Sequence, residues 1–185
     1  ELLKQQATHP LLNTPRARTL TAQGRDAEAR VALQRALTGE PGNYATLSLL
    51  AALETRAGDG VAARAALEQL DQRYPGNDAV RALRADLAYA QRDYAGALVH
   101  YEALVKTAAS PALELRLAQT LSQLGRQTEA DARLARAVNA NPGSELLRRA
   151  HADRLLARGR TADAIKHYEY LLRQQPGSAL LLNNL

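Results

Sequence analysis

The sequence contains no cysteine, methionine, tryptophan or phenylalanine, and only seven tyrosines. The absence of cysteine excludes disulfides and thiolate-bound metals. Because large aromatic side chains are scarce, the interior must be built mainly from leucine and alanine, which favours closely packed helices. No apolar run approaches the roughly 18 residues of a membrane span, and no signal sequence opens the chain. With 46% hydrophobic residues among 185, the chain can still form a folded core.

The net charge is also small, +5, because the chain has 24 lysines and arginines and 19 aspartates and glutamates. The densest basic segment, called here the arginine segment, contains Arg148, Arg149, Arg154, Arg158 and Arg160. Four acidic residues interrupt it: Glu145, Asp153, Asp163 and Glu169. A nucleic-acid surface needs a continuous basic stripe, often with aromatic residues for stacking, so the sequence predicts a solvated arginine-rich surface and no nucleic-acid partner. Binding of an acidic peptide or an anionic polysaccharide to this segment stays an open hypothesis.

What the chain does contain is a repeat of about 34 residues. Proline followed by glycine begins at residues 41, 75, 142 and 176, and the spacing of 67 in the middle is one period of 34 plus one of 33. A second marker follows the same period, at Gly24, Gly58, Arg92, Gly125 and Gly159. Two sets of alanines also follow it: Ala17, Ala51, Ala85, Ala118 and Ala152 before this marker, and Ala29, Ala63, Ala97, Ala130 and Ala164 after it. Ten matches out of ten exceed what composition alone would produce.

The pattern within each repeat predicts two antiparallel helices. In the fourth repeat, Ser110 can cap the first helix, Pro111 can occupy its first position, and Gly125 can end it in the left-handed conformation. The matching capping positions of the other repeats hold Asn43, Asn77, Ser144 and Ser178. Loops of about two to four residues then force neighbouring helices into hairpins. In the first repeat, Pro15 predicts a late helix start with Thr14 as its cap.

These features resemble the tetratricopeptide repeat (TPR) family, which has small residues at both alanine phases and proline at the end of each unit. The large apolar residue that the family has four positions after the second alanine is matched by Leu33, Leu67, Tyr101, Leu134 and Tyr168. The aromatic residue common early in the family's first helix is replaced by Asn13, Leu47, Arg81, Glu114 and Arg148. The resemblance implies an all-α superhelical solenoid of antiparallel helix hairpins with a 34-residue period.

The same resemblance implies a division of the chain into repeats. The predicted units are the end of a preceding repeat at 1–9, five repeats at 10–43, 44–77, 78–110, 111–144 and 145–178, and the start of a truncated repeat at 179–185. On this interpretation the chain is an internal piece of a longer protein.

The second half carries a narrower resemblance. Segments 86–106, 110–130 and 168–185 are similar to the C-terminal repeats of TPR lipoproteins from bacterial exosortase/PEP-CTERM systems. This implies an exported, lipid-anchored scaffold associated with exopolysaccharide production and the sorting of surface proteins. It would lie in the periplasm or at the outer membrane, with a cytoplasmic location also open. The lipid-bearing cysteine of that family is not in this chain, so membrane contact would come only through an anchor outside this fragment.

Catalytic and metal-binding patterns are missing from the sequence. The chain has four histidines, His9, His100, His151 and His167. They form no compact ligand motif, and we interpret His167, beside Glu169, as part of a solvated helix face. There is no nucleophile elbow, phosphate-binding glycine loop or paired-carboxylate arrangement. We therefore expect no enzymatic activity, no cofactor and no metal.

The resemblance implies a working surface on the concave wall, which the first helix of each repeat lines. The matched positions, called here the groove positions, hold Ser48, Ala52, Thr55, Ala82, Asp86, Tyr89, Leu115, Gln119, Ser122, Arg149, Asp153 and Leu156. This mixture suits an extended segment or a partner helix held by several weak contacts, although ordinary solvated helix positions are the alternative interpretation. The basic residue and asparagine of the carboxylate clamp in chaperone adaptors of this family are missing here.

Two functions remain after these exclusions. The first is a non-catalytic protein–protein interaction scaffold that binds a partner protein or peptide in the groove, in a bacterial envelope system for exopolysaccharide production or protein sorting. The second is a structural spacer or self-associating repeat array without a dedicated groove ligand, in which exposed end repeats could form homo-oligomers.

Overall fold

The computed structural model describes residues 8–174, which contain ten α-helices and no strand. In chain order these are α1 (Pro10–Ala22), α2 (Asp26–Gly39), α3 (Tyr44–Ala57), α4 (Gly60–Arg73), α5 (Asp78–Ala90), α6 (Tyr94–Thr107), α7 (Pro111–Gln123), α8 (Gln127–Ala140), α9 (Glu145–Ala157) and α10 (Thr161–Gln174). Loops of two to four residues separate them, as predicted. The predicted partial repeats at 1–9 and 179–185 lie outside the described residues, apart from residues 8 and 9. Within 8–174, every helix is too short or too polar to traverse a lipid bilayer.

The described residues form two compact units, unit 1 up to residue 100 and unit 2 from residue 101. In unit 1, α1 packs against α2 and α3, and α3 packs in turn against α2, α4 and α5. In unit 2, α9 packs against α7, α8 and α10, and α7 packs against α8. Each of these first helices therefore contacts its own hairpin partner as well as helices of a neighbouring repeat.

The helix ends follow the predicted capping chemistry. Side chains at the capping position accept hydrogen bonds from first-turn N–H groups of α3, α5, α7 and α9, and they belong to Asn43, Asn77, Ser110 and Ser144. Ser178 lies outside the described residues. The glycines of the second marker, Gly24, Gly58, Gly125 and Gly159, all have φ between 71° and 81°. Arg92 adopts the same left-handed conformation, with φ 63°.

Helix α1 departs from the sequence prediction. It begins at Pro10, with the His9 side chain accepting a hydrogen bond from the Leu11 N–H at 3.2 Å, and Pro15 lies inside the helix. The predicted late start was wrong because a histidine cap and a proline at the first position favour an earlier turn. The predicted cap Thr14 is buried instead, with its hydroxyl hydrogen-bonded to that of Thr46 at 2.7 Å.

The recurrent residues found in the sequence lie in the core. All ten recurrent alanines are at most 1% exposed. The large residues that follow them are at most 2% exposed: Leu33, Leu67, Tyr101, Leu134 and Tyr168. Alanine is required where helices approach closely, because a larger side chain there would overpack the core.

Candidate interaction surface

In unit 1 the groove positions lie on α3 and α5, which pack directly against each other. Ala52 is exposed, and the other five positions of this unit are partly exposed. The Ser48 hydroxyl is buried without a hydrogen-bond partner within residues 8–174, and Thr55 donates to the Ala51 carbonyl at 2.8 Å. The Tyr89 ring meets Tyr94 edge-on, with centroids 5.2 Å apart. The surface of unit 1 therefore combines small side chains with a tyrosine held by a second ring.

In unit 2 the groove positions lie on α7 and α9, which also pack together. Gln119 and Asp153 are exposed, and the other four positions are partly exposed. Two of the six are tied to the protein's own side chains. Ser122 accepts a hydrogen bond from Arg154, and Asp153 accepts one from the Tyr168 hydroxyl at 2.5 Å. Leu156 packs against the core of the α9–α10 hairpin. Gln119 and Arg149 are thus more available to a ligand than their neighbours.

The arginine segment lies at least partly exposed, and four of its five members contact other side chains. Arg154 and Arg158 both pair with Asp131, at 2.6 and 2.9 Å. Arg160 pairs with Asp163 at 2.6 Å. The remaining two members differ: Arg148 stacks over the Tyr170 ring with its guanidinium carbon 3.6 Å from the ring centroid, whereas Arg149 has no ion-pair partner within residues 8–174.

Two histidines form a contact that the sequence interpretation missed. The rings of His151 on α9 and His167 on α10 meet edge-on, with centroids 4.8 Å apart, so the solvated helix face assigned to His167 was wrong. Burial lowers the pKa of both histidines, and positive charge on His167 lowers the pKa of His151 further. The sequence held a signal for this contact. His151 and His167 each lie eight residues from Gly159, and equal distances from a hairpin loop place two residues opposite each other.

Unit 1 contains a more deeply buried ion pair. The carboxylate of Glu54 on α3 is 2% exposed and accepts two hydrogen bonds from Arg30 on α2, at 2.6 and 2.5 Å. The hydrogen bonds that Arg30 donates to Glu54 raise the pKa of Arg30 above its ordinary value. This bidentate geometry fixes α2 against α3. Because the Glu54 carboxylate is buried as well as paired, a ligand cannot reach it, and the pair is structural.

Over residues 8–174, no three histidine, aspartate or glutamate side chains lie close enough together to form a metal-binding site.

Comparison with known proteins identifies the repeat. The tetratricopeptide repeat family matches at residues 3–87 and again at residues 112–144, which together are more than half of the chain. No curated protein matches the chain at a significant level.

Solved structures with the same fold come from several bacteria. The TPR protein TTC0263 of Thermus thermophilus has a TM-score of 0.72 and 22% identity, covering 93% of this chain and 94% of its own. A TPR protein of Parabacteroides merdae has a TM-score of 0.68 and 20% identity, covering 95% and 70%. Pseudomonas aeruginosa pilF has a TM-score of 0.71 and 16% identity, covering 90% and 75%. At these identities the likeness shows the fold alone, and the predicted all-α TPR fold is confirmed. The chain therefore belongs to the tetratricopeptide repeat family, whose members generally mediate protein–protein interactions.

Proposed function

We propose that the chain is a non-catalytic scaffold that holds a segment of a partner protein against the first helices of its repeats. One observation carries this proposal. In each unit two successive first helices pack side by side, and all their groove positions are at least partly exposed. An extended segment or a helix lying across such a pair can contact both at once, and several weak contacts then add up to specific binding.

The proposed setting is a bacterial envelope system for exopolysaccharide production or protein sorting, in the periplasm or at the outer membrane. Support comes from the resemblance of segments 86–106, 110–130 and 168–185 to repeats of TPR lipoproteins in exosortase/PEP-CTERM systems. The partner in this setting would be a protein of the polysaccharide or sorting machinery.

The experiment that tests both parts is affinity capture from separated envelope and cytosolic fractions of the source organism. In unit 1, Ala52→Arg adds a charge at a groove position, and Val61→Arg adds the same charge on the exposed face of α4. In unit 2, Gln119→Arg and Asn139→Arg form an equivalent pair on α7 and α8. All four positions are exposed, so folding should be unchanged within about 0.5 kcal/mol.

The expected result is one or more proteins from the envelope fraction that are captured by the parent chain and by the α4 and α8 variants, but lost or reduced about tenfold by a groove variant. Equal capture by all variants would contradict the groove. Capture only from the cytosolic fraction would contradict the envelope setting. A chain that captures nothing but forms homo-oligomers in sedimentation would favour the self-associating array.

A further inference from the structure

A cavity of about 520 Å³ lies between α8 and α9 in unit 2. None of the groove positions lines it. Its volume falls within the range of small-ligand sites, roughly 300–1,000 Å³. The cavity therefore offers a second surface, separate from the one on which the proposed function depends.

The polar side of the cavity carries excess positive charge. Arg154, Arg158 and Arg160 line it together with a single carboxylate, that of Asp131. Asp163, which pairs with Arg160, is shared with Lys166 at 3.1 Å and so does not cancel the excess. The three arginines and Lys166 carry four positive charges, and the two aspartates carry two negative charges. The net charge of +2 is left for an anion to neutralise.

The arginines differ in how many donors they still offer. Arg154 has most of its donors engaged, because it bonds Asp131, Ser122 and Gln127. Arg158 has one contact, to Asp131 at 2.9 Å, and its side chain is 41% exposed. The Arg160 side chain is 64% exposed and, within residues 8–174, bonds only Asp163. Since a guanidinium carries five N–H donors, Arg158 and Arg160 keep donors for an incoming oxyanion.

The cavity also has an apolar lining, which consists of Ala132 and Ala135 of α8 and Leu155 of α9. His151 also lines the cavity, and its Nδ1 is buried without a hydrogen-bond partner within residues 8–174. A ligand that fits both the charged and the apolar lining needs an oxyanion and a short aliphatic stem. Inorganic phosphate has no stem and would leave the apolar lining uncovered.

We propose that this cavity binds an aliphatic carboxylate, with its oxygens against Arg158 and Arg160 and its stem against Ala132, Ala135 and Leu155. A glutamate side chain on a peptide and a free short-chain acid share this chemistry. The guanidinium fork matches the two carboxylate oxygens, and burial of the methylene groups adds affinity that a bare ion lacks.

His151 provides a reporter inside the cavity. Its pKa is lowered by burial, by His167 and by the nearby Arg160 and Arg154, while Asp131 acts in the opposite direction. A bound carboxylate adds negative charge beside the ring, so it should raise the pKa of His151. By linkage, the ligand should bind more tightly as the pH falls through this pKa.

The test is titration of the full chain, labelled with ¹³C at histidine Cε1, by butyrate, acetate and inorganic phosphate in parallel, monitored by NMR. His151 is assigned by its loss in His151→Gln. We expect its signal to shift with butyrate, its pKa to rise at saturation, and butyrate to bind about three- to tenfold more tightly than acetate. A hexaglutamate peptide, with hexaglutamine as control, forms a further arm. Tighter binding of hexaglutamate than of butyrate assigns the site to a peptide ligand, and the reverse assigns it to a free acid.

Matched variants decide whether the cavity is responsible. Arg158→Gln and Arg160→Gln should each weaken butyrate binding about five- to tenfold. Arg136→Gln removes the same charge from α8 outside the cavity and should leave binding unchanged. The proposal is overturned if no probe moves the His151 signal, if Arg136→Gln weakens binding as much as the cavity variants do, or if phosphate binds as tightly as butyrate. These probes need no partner protein, so their failure is distinguishable from failure of the groove proposal.

Discussion

Apart from tyrosines, residues 8–100 of unit 1 bury four polar side chains completely or nearly so, whereas residues 101–174 of unit 2 bury one. The first set is Asn13, Thr14, Thr46 and Glu54, and the second is Thr120. Unit 2 instead keeps its polar groups half-buried, in the histidine pair, the Arg148–Tyr170 stack and the ion pairs of Asp131. In both units, nevertheless, the recurrent alanines are equally buried, at most 1% exposed.

The ion pairs that join a second helix to the following first helix show the difference most directly. In unit 1, Arg30 of α2 reaches Glu54 of α3, whose carboxylate is 2% exposed. In unit 2, Arg154 of α9 reaches Asp131 of α8, whose carboxylate is 32% exposed. The same helix junction therefore holds a buried ion pair in unit 1 and a partly exposed one in unit 2. The repeat determines where the helices meet, and the local sequence determines how far the ion pair between them is exposed to solvent.

The largest expected effect comes from breaking these two pairs separately. Arg30→Ala should lower the free energy of unfolding by about 3 kcal/mol, because it leaves a buried carboxylate without a partner. Arg154→Ala should lower it by about 1 kcal/mol, because Asp131 is partly hydrated and keeps Arg158. Urea unfolding followed by circular dichroism measures both values.

A double variant controls for the loss of packing. Arg30→Met with Glu54→Leu removes both charges together and should recover most of the stability lost in Arg30→Ala. Equal losses in Arg30→Ala and Arg154→Ala would show that burial of the carboxylate is not what distinguishes the two junctions.

The second prediction concerns what the units share. Ala63→Leu in unit 1 and Ala130→Leu in unit 2 should each cost about 1–3 kcal/mol, since both alanines are fully buried at the same repeat phase. Ala65→Leu and Ala132→Leu, two residues further along and exposed, should change stability by less than about 0.5 kcal/mol. Thermal unfolding of the four variants measures this. If Ala63→Leu or Ala130→Leu unfolds like the parent, the close helix approach argued for that unit is absent.

The shared features were predictable from the sequence because they are local or periodic. Capping residues act within one turn, and the recurrent alanines report a packing distance that every repeat must satisfy. The histidine pair was missed because it depends on which residues face each other across a hairpin, although His151 and His167 lie at equal distances from Gly159. Arg148 and Tyr170 show the same symmetry, at eleven residues each.

Other features could not be read from the period at all. The Thr14–Thr46 hydrogen bond joins two first helices and replaced a predicted cap. Thr14 is buried, and the Thr46 hydroxyl, which donates to Asn43 at 2.9 Å, still has a lone pair to accept from it. The groove positions stay a prediction, because their exposure shows that a partner can reach them but not that a partner binds there.

The third prediction uses one left-handed position in each unit. Arg92 adopts φ 63° in unit 1, and Gly125 adopts φ 75° in unit 2 with no atom within 4 Å of the place where a Cβ would lie. Arg92→Gly should therefore stabilise by up to about 1 kcal/mol, and Gly125→Ala should destabilise by about 1 kcal/mol. Urea unfolding measures both changes. If the two changes in unfolding free energy have opposite signs, both positions require the left-handed backbone conformation. A destabilising Arg92→Gly would mean that the arginine side chain stabilises the fold by more than its backbone strain costs.

The smallest expected effect is a pH dependence confined to unit 2. Because folding lowers the pKa of His151 and of His167, the unfolded chain binds protons more readily than the folded one. The stability present above the ordinary histidine pKa of 6.5 should therefore decline as the pH falls below it, until the folded-state pKa values are passed. Amide hydrogen exchange at pH 7.5 and pH 5, corrected for intrinsic rates, should show more frequent opening of α9 and α10 in acid, with little change in α3 and α4.

The control removes the histidines and leaves the rest of the hairpin. In His151→Gln with His167→Gln, the difference between pH 7.5 and pH 5 should disappear from α9 and α10. Glu28, Glu129 and Asp163 also have pKa values lowered by their basic partners, but they lose that stabilisation only below about pH 4.5, outside this window. If acid opened α3 and α4 as readily as α9 and α10, the effect would belong to the whole repeat and not to a pair of histidines facing each other across one hairpin.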